Sequence, residues 1–322
     1  MMTKQKTVII LAAVLLVVVA IVLVAFWEKG HNEFSGDPGA ANGTLSYGGK
    51  DYVLKDGLET VLILGLDTFK AEDGGSYNND KQADFLLLLV IDSKEGSCKA
   101  IRINRDTMTD INVLGVAGDK VGTVNKQISL AHTYGNGREV SCRNVANAVS
   151  GLLMGMYVNH YVSVTMEAVP VYNDFVGGVT LEVLDDFTGL DDTLVKGETV
   201  TLTGEQALTY VRARYGMEDP TNEARMRRQR QYLEILHAKS RQMAAENDSF
   251  IPNAALKLTN YLVSDCSGNR LEELLERLSQ YDLDDILDIE GKSVKGQDFM
   301  EFYPDEDSLT QVVIECFYRE KD

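Results

Sequence analysis

The stretch DFLLLLVIDSKEGSCKAIRINRD, residues 84–106, decides the fold class. Asp84–Asp92 is a continuous apolar run of strand length, and Lys99–Asn104 alternates apolar and polar residues as a strand does. Ser93–Ser97 (SKEGS) reads as a turn, so the two segments predict a β-hairpin. Antiparallel pairing brings the start of one strand and the end of its partner to the same sheet edge. Asp84 is thereby grouped with Arg105 and Asp106. Upstream, Thr60–Leu66 (TVLILGL) predicts another buried strand, ending at Asp67. Strand ends and their loops are where α/β proteins place ligands.

Working outward, Val145–Met156 predicts a helix, Tyr161–Thr165 and Val179–Val183 strands, and a helix ends between them at Gly177-Gly178. Thr203–Arg214 predicts a helix capped by Thr203, and Thr221–Glu246 a long Arg-rich helix. Leu271–Leu278 and Leu309–Tyr318 predict amphipathic closing helices. Strands and helices alternate throughout. The expected architecture is one α/β domain over residues 54–322, with a mixed central sheet between helical layers.

Val8–Trp27 is an unbroken run of 20 uncharged, mostly apolar residues, long enough to cross a hydrocarbon core. Lys4 and Lys6 precede it and acids follow, so residues 1–7 are expected in the cytoplasm and the rest outside. The long run and the poor cleavage site at Val-Ala-Phe-Trp favour an uncleaved anchor over a signal peptide. Residues 28–53 read as a flexible stalk. All four cysteines, Cys98, Cys142, Cys266 and Cys316, then lie in a compartment that permits disulfides. None forms a C-x-x-C, so a structural zinc is not expected. His132 is expected to pack in the core and His160 to cap a turn.

The chain carries 31 Lys+Arg against 49 Asp+Glu, a net charge of −18. Setting aside the two lysines of residues 1–27, a stretch without acids, leaves −20 on the remainder. Such a chain is a poor nucleic-acid binder, because phosphate contacts need Lys and Arg. Yet six of its 14 arginines fall between Arg212 and Arg230. Arg225, Arg228 and Gln229 share one helix face, whereas Arg227 and Arg230 point elsewhere and are expected in solvent. Rigid multi-donor guanidinium groups suit phosphate, and carboxylates beside them suit Mg²⁺ with substrate phosphates. A structural salt-bridge network accounts for the same residues, and spacing alone leaves both open.

The motifs together resemble the LytR-CpsA-Psr family of Gram-positive cell-envelope phosphotransferases. They are Gly65–Asp67 (GLD), Ala83–Asp92, Ile103–Thr107 (INRDT), Gln127–Gly135 (QISLAHTYG), Asn159–Val164, Asn173–Val179 (NDFVGGV), Leu202–Arg214 (LTGEQALTYVRAR) and Arg225–Gln229 (RMRRQ). The resemblance implies a sheet flanked by helices around a pocket for a polyprenyl chain, behind one transmembrane helix. It implies transfer of an anionic glycopolymer, such as a teichoic acid or capsule precursor, from an undecaprenyl-pyrophosphate carrier to peptidoglycan at the cytoplasmic membrane. Nucleic acid is not among the implied partners. Asp67 and Asp84 would hold Mg²⁺ or Mn²⁺. Arg105, Arg212, Arg214, Arg225 and Gln229 would contact the pyrophosphate, Arg228 on the same helix face is expected to join them, and Arg105 and Asp106 would be catalytic. The chain departs from the family pattern at Gln82, where an Arg is usual, at Asn104 in place of Pro, at Thr109 in place of a basic residue, and at Ser129 in place of Asn. A lipid-binding scaffold or a pyrophosphatase with reduced transfer activity is the alternative those departures leave.

Overall fold

Three apolar strands pair side by side and organise the rest: β3 (Leu58–Leu66), β4 (Phe85–Asp92) and β5 (Ser97–Ile103). All are antiparallel neighbours, with Leu62 opposite Leu88 and Leu88 opposite Ile101, then Leu64 opposite Leu86 and Leu86 opposite Ile103. The hairpin expected from residues 84–106 is present. β8 (His160–Thr165), β11 (Leu262–Ser264) and β12 (Leu283–Asp288) complete a six-stranded sheet ordered β11-β8-β3-β4-β5-β12. β12 runs parallel to β5, which makes the sheet mixed. Both faces of β3 and β4 are buried, which is why these strands are apolar almost without alternation.

The computed structural model describes residues 43–68, 81–213, 216–219, 222–247, 249–267, 270, 273–274, 283–297 and 299–321. The expected anchor at 8–27, Arg214 and most of 271–278 lie outside these residues. No helix among the described residues is long and apolar enough to cross a membrane.

Contacts divide the chain into two compact units, a division that the expectation of one domain over 54–322 does not draw. The first takes in the described residues of Gly30–Val164, Val263–Ser267 and Glu276–Asp322; the second those of Thr165–Leu262 and Gly268–Leu275. In the first, α1 (Glu139–Leu152) buries Cys142, Val145, Val149 and Leu152, and the C-terminal helix, Glu306–Phe317, buries Val312, Val313 and Cys316. These side chains share one core with Leu62, Leu64, Leu86, Leu88, Ile101 and Ile103. Each such fully buried aliphatic side chain contributes roughly 1.5–3 kcal/mol. All four cysteines are buried free thiols. Burial pushes the Cys142 and Cys316 thiols up to about 12, which makes both inert at neutral pH.

The expected stalk needs correction at its end. β1 (Thr44–Tyr47) and β2 (Lys50–Leu54) form a hairpin, and β2 also pairs with the C-terminal strand Tyr318–Glu320. Gly48 and Gly49 make the two-residue connection with φ of 59° and 79°, a conformation glycine adopts without strain. Polar flanks hide this short hairpin in the sequence. Two further hairpins were not expected: β6 (Met108–Leu114) with β7 (Lys120–Gln127), and β13 (Gly291–Lys295) with β14 (Met300–Pro304).

The second unit begins with α2 (Ala168–Phe175) and the ribbon of β9 (Val179–Glu182) and β10 (Thr199–Leu202). α3 (Gly204–Arg212) starts at Thr203, as expected. The Thr203 hydroxyl accepts from Gln206 N, and the Gln206 side chain accepts from Thr203 N, closing a capping box. α4 (Asn222–Glu246) is the Arg-rich helix, followed by α5 (Phe250–Leu258). Asn173 ties the unit together. Its amide donates to Leu202 O, and its Oδ1 accepts from Val179 N and Tyr232 OH.

Candidate active site

Two groups of sequence-expected residues have well-defined surroundings, one in each unit. In the first unit the strand-edge grouping is realised. Gly65 stands opposite Phe85 in register, and Asp84 N donates to Gly65 O at 2.9 Å. Asp67, just beyond β3, and Asp84, just before β4, therefore emerge at one sheet edge, both exposed. Arg105, just beyond β5, meets them there. Its guanidinium donates to Asp84 Oδ1 and, at 2.5 Å, to Gln82 Oε1, and its Nε lies 3.5 Å from Asp106 Oδ1.

The loop that carries Arg105 and Asp106 is fixed by its own sequence and by neighbouring hairpins. Asn104 Oδ1 accepts from Asp106 N at 2.9 Å, an Asx turn, and Asn104 O accepts from Thr107 N at 3.0 Å. Asn104 thus restrains with its side chain what proline would restrain with its ring. Ser129 bridges backbone to backbone: its N donates to Arg105 O, and its O accepts from Ala83 N. Gln127 Nε2 donates to Asp106 Oδ1 at 2.9 Å and to Met300 O at 2.7 Å, and Phe302 N donates to Asp106 O. Asp106 is therefore oriented by β7 and β14, neither of which the sequence reading identified.

Gln82 is the informative departure. As a neutral amide it accepts from Arg105, which a second guanidinium at this position could not do. Its support for Arg105 replaces charge with hydrogen bonding. Thr109 lies opposite Lys126 in the β6–β7 register, so a basic residue still stands on the neighbouring strand.

In the second unit the structure separates the arginines. Arg228 has no solvent exposure. It donates through Nε to Tyr210 O at 2.9 Å, through one terminal nitrogen to Asp185 Oδ2 at 2.6 Å, and through the other to Ala213 O. Its guanidinium also lies 5.5 Å from the Phe187 ring centroid, and Phe187 stacks on Tyr210. Gln229 Nε2 donates to Val211 O at 3.0 Å. The expected pyrophosphate role of Arg228 is corrected here, because its donors are taken by the protein itself. The last carbonyls of a helix lack intrahelical partners, and Arg228 and Gln229 satisfy those of α3 from the facing helix. Helical spacing groups Arg225, Arg228 and Gln229 correctly on one face but cannot say what covers it. Arg227 is exposed, as expected, 3.7 Å from Asp185 and 3.9 Å from Asp219. Arg212 is exposed in the last turn of α3, and Arg225 is half-buried. Asp185 escaped notice in the sequence; the available signal was the Asp185-Asp186 pair between Leu184 and Phe187, of which Asp185 is buried and Asp186 exposed.

The donor set at the sheet edge suits Mg²⁺. Two exposed carboxylates from adjacent strand ends supply hard oxygen ligands, and this cation takes its remaining ligands from water and phosphate. His132 belongs to the core instead. It is fully buried, with Nδ1 2.9 Å from Lys81 O, and burial lowers it to about 4 despite that hydrogen bond.

Comparison with known proteins identifies relatives of the chain. The polyisoprenyl-teichoic acid–peptidoglycan teichoic acid transferase TagU of Bacillus mycoides is 33% identical over 181 residues, covering 56% of this chain and 52% of that protein. The chain thus spans about half the length of the curated relatives it matches. Among solved structures, B. subtilis TagV aligns with a TM-score of 0.58 at 23% identity, covering 82% of this chain and 97% of that one. TagT bound to LI-WTA aligns with a TM-score of 0.56 at 19% identity, covering 91% and 95%. At these identities the structural likeness is one of fold. The LytR_cpsA_psr family profile matches residues 34–314, through both compact units. The chain therefore belongs to the LytR_cpsA_psr family.

Proposed function

We propose that the chain is a membrane-anchored phosphotransferase. It moves an anionic glycopolymer from an undecaprenyl-pyrophosphate carrier to a peptidoglycan hydroxyl, with Mg²⁺ or Mn²⁺ as cofactor. The observation that carries this reading is Arg105, held between Asp84 and Gln82 beside an oriented Asp106, at the sheet edge where Asp67 also emerges. The relatives' names support the substrate class: TagU is named as a polyisoprenyl-teichoic acid–peptidoglycan transferase, and TagT was solved bound to LI-WTA. The apolar run 8–27 behind Lys4 and Lys6 supports the anchor and an extracellular catalytic part.

Phosphoryl transfer asks the protein mainly for positioning and charge neutralisation. The acceptor hydroxyl attacks the glycan-side phosphorus, and the bond to the leaving polyprenyl phosphate breaks. Arg105 neutralises charge on the phosphoryl oxygens through fixed, charge-assisted hydrogen bonds. Asp106, aimed by Gln127, takes the proton of the attacking hydroxyl. Asp67 and Asp84 hold the divalent cation, which when bound offsets the charge of the pyrophosphate. Arg212, Arg214 and Arg225 remain assigned to the substrate's anionic groups, whereas Arg228 is a structural residue.

The test incubates the full chain, in detergent, with a lipid-pyrophosphate glycan, Mg²⁺ and peptidoglycan. Transfer to peptidoglycan is expected, and about a hundredfold less in Arg105→Ala. Wild-type protein that binds the lipid and transfers nothing overturns the proposal in favour of a scaffold. Phosphate release without acceptor, and no transfer, points to a pyrophosphatase.

A further inference from the structure

A second cluster of ligating side chains lies at the other end of β3. Glu59 is near the start of that strand and Asp67 just past its end, roughly 25 Å apart at about 3.3 Å per residue. His160, at the start of β8, stands between two carboxylates, with Nε2 3.5 Å from Glu59 Oε1 and Nδ1 3.6 Å from Asp265 Oδ1. These distances are too long for hydrogen bonds, and Nδ1 is a buried atom with no hydrogen-bond partner. Cys266 is beside Asp265. Its Sγ, an Asp265 oxygen and a His160 ring nitrogen lie within 4.8 Å of one another.

The surroundings hold these groups in place. Asp265 Oδ1 accepts from Tyr161 N at 2.9 Å, and Oδ2 accepts from Arg143, whose guanidinium lies 5.0 Å from the Tyr161 ring centroid. Cys266 N donates to Ser264 Oγ, and Ser264 Oγ donates to Tyr161 O. His160 and the Asp265-Cys266 pair flank the places where the chain leaves the first unit, at Thr165, and re-enters it, after Leu262.

We propose that His160 Nδ1, Asp265 and Cys266 form a zinc site, with Glu59 orienting the histidine. A ring whose Nε2–H faces Glu59 presents its Nδ1 lone pair toward Asp265, and closure of the 3.5 Å gap to Glu59 on metal binding would complete the carboxylate–histidine–metal arrangement. Two ligands about 2.0–2.1 Å from a tetrahedral zinc lie about 3.3 Å apart, close to the 3.6 Å separating Nδ1 from Asp265 Oδ1. Thiolate and imidazole favour Zn²⁺ over Mg²⁺, which distinguishes this site from the Asp67–Asp84 pair. Binding releases the Cys266 thiol proton to solvent. With the thiolate, Asp265, Glu59 and Arg143 charged, a divalent cation leaves the cluster electroneutral. The metal joins the strand that leaves the first unit to the segment that returns. The proposal stands independently of the transfer reaction.

The experiment titrates the metal-free full chain, in detergent, with Co²⁺. One equivalent is expected to bind, with thiolate-to-cobalt absorption in the near ultraviolet and the intense visible bands of a tetrahedral site, both bleached by Zn²⁺. Cys266→Ser is expected to lose the near-ultraviolet absorption with unchanged circular dichroism. Glu59→Gln is expected to retain it and bind about tenfold more weakly. Excess Mg²⁺ is expected to leave the spectrum unchanged. No saturable binding at micromolar Co²⁺, thiolate absorption persisting in Cys266→Ser, or displacement by Mg²⁺ would each overturn the proposal.

Discussion

Replacing Arg228 with methionine separates a structural role from a substrate role. Arg228 is fully buried and bonds Asp185, Tyr210 O and Ala213 O. Methionine fills much of the volume and removes every donor. Asp185, only 9% exposed, keeps Arg227 at 3.7 Å as its remaining cation, and Arg227 is itself more than half in solvent. Breaking one side of a buried ion pair costs about 3–5 kcal/mol. The nearby Arg227 offsets a small part of this, so a loss of about 3 kcal/mol is expected. Adding Asp185→Leu removes the stranded charge and should recover stability to within about 1–2 kcal/mol of wild type, the residue being the two unpaired helix-end carbonyls. The assay is urea unfolding followed by far-ultraviolet circular dichroism, comparing midpoints where the slopes agree. Binding of lipid-pyrophosphate is measured in parallel below the transition, and folded Arg228→Met protein should retain it. A variant within about 0.5 kcal/mol of wild type that no longer binds the lipid would refute this reasoning and return Arg228 to the substrate.

Stability should also fall between pH 7 and pH 5. Burial lowers His132 to about 4, below its unfolded value of about 6.5, so the neutral ring stabilises fully above that unfolded value and the contribution is lost as pH falls toward 4. A loss of about 2 kcal/mol by pH 5 follows, and chemical unfolding of His132→Asn should show a flatter profile; an unchanged slope would assign the effect elsewhere. Gly65→Ala places a Cβ 2.9 Å from Phe85 Cβ, so a cost of about 1–3 kcal/mol is expected in the same urea assay, and wild-type stability would contradict the close approach. Gln127→Ala removes the amide that aims Asp106, so kcat for glycopolymer transfer should drop about tenfold with KM little changed. A change in KM alone would place Gln127 on the substrate instead.

The central hairpin was legible because its signals are local. Continuous apolar runs of strand length separated by a polar turn can be paired without knowing anything distant. The juxtaposition of Asp84 with Arg105 and Asp106 then follows from antiparallel geometry. Thr203 announced the start of α3 by its residue type and position alone. The β1–β2 hairpin was not legible, since its strands are short and half-exposed, and the two-glycine turn resembled linker composition. Gln127 opens one of the family-like motifs, yet its role in aiming Asp106 was not legible, because that role depends on β7 lying beside a loop more than 20 residues earlier in sequence.

What the sequence by itself determined is the central apolar strands, the capped and Arg-rich helices and the chemistry at the strand ends: periodicity and capping are short-range physics, and an antiparallel turn dictates which termini meet. What only the tertiary structure decided is which charged groups face solvent and which the protein consumes. Helical spacing puts Arg225, Arg228 and Gln229 on one face, but the unsatisfied carbonyls at the end of α3 claim Arg228 and Gln229. Likewise Glu59, His160, Asp265 and Cys266 are scattered over some 200 residues, and only the pairing of sheet strands brings them together. Burial and long-range contact depend on packing partners, and no local pattern encodes who those partners are.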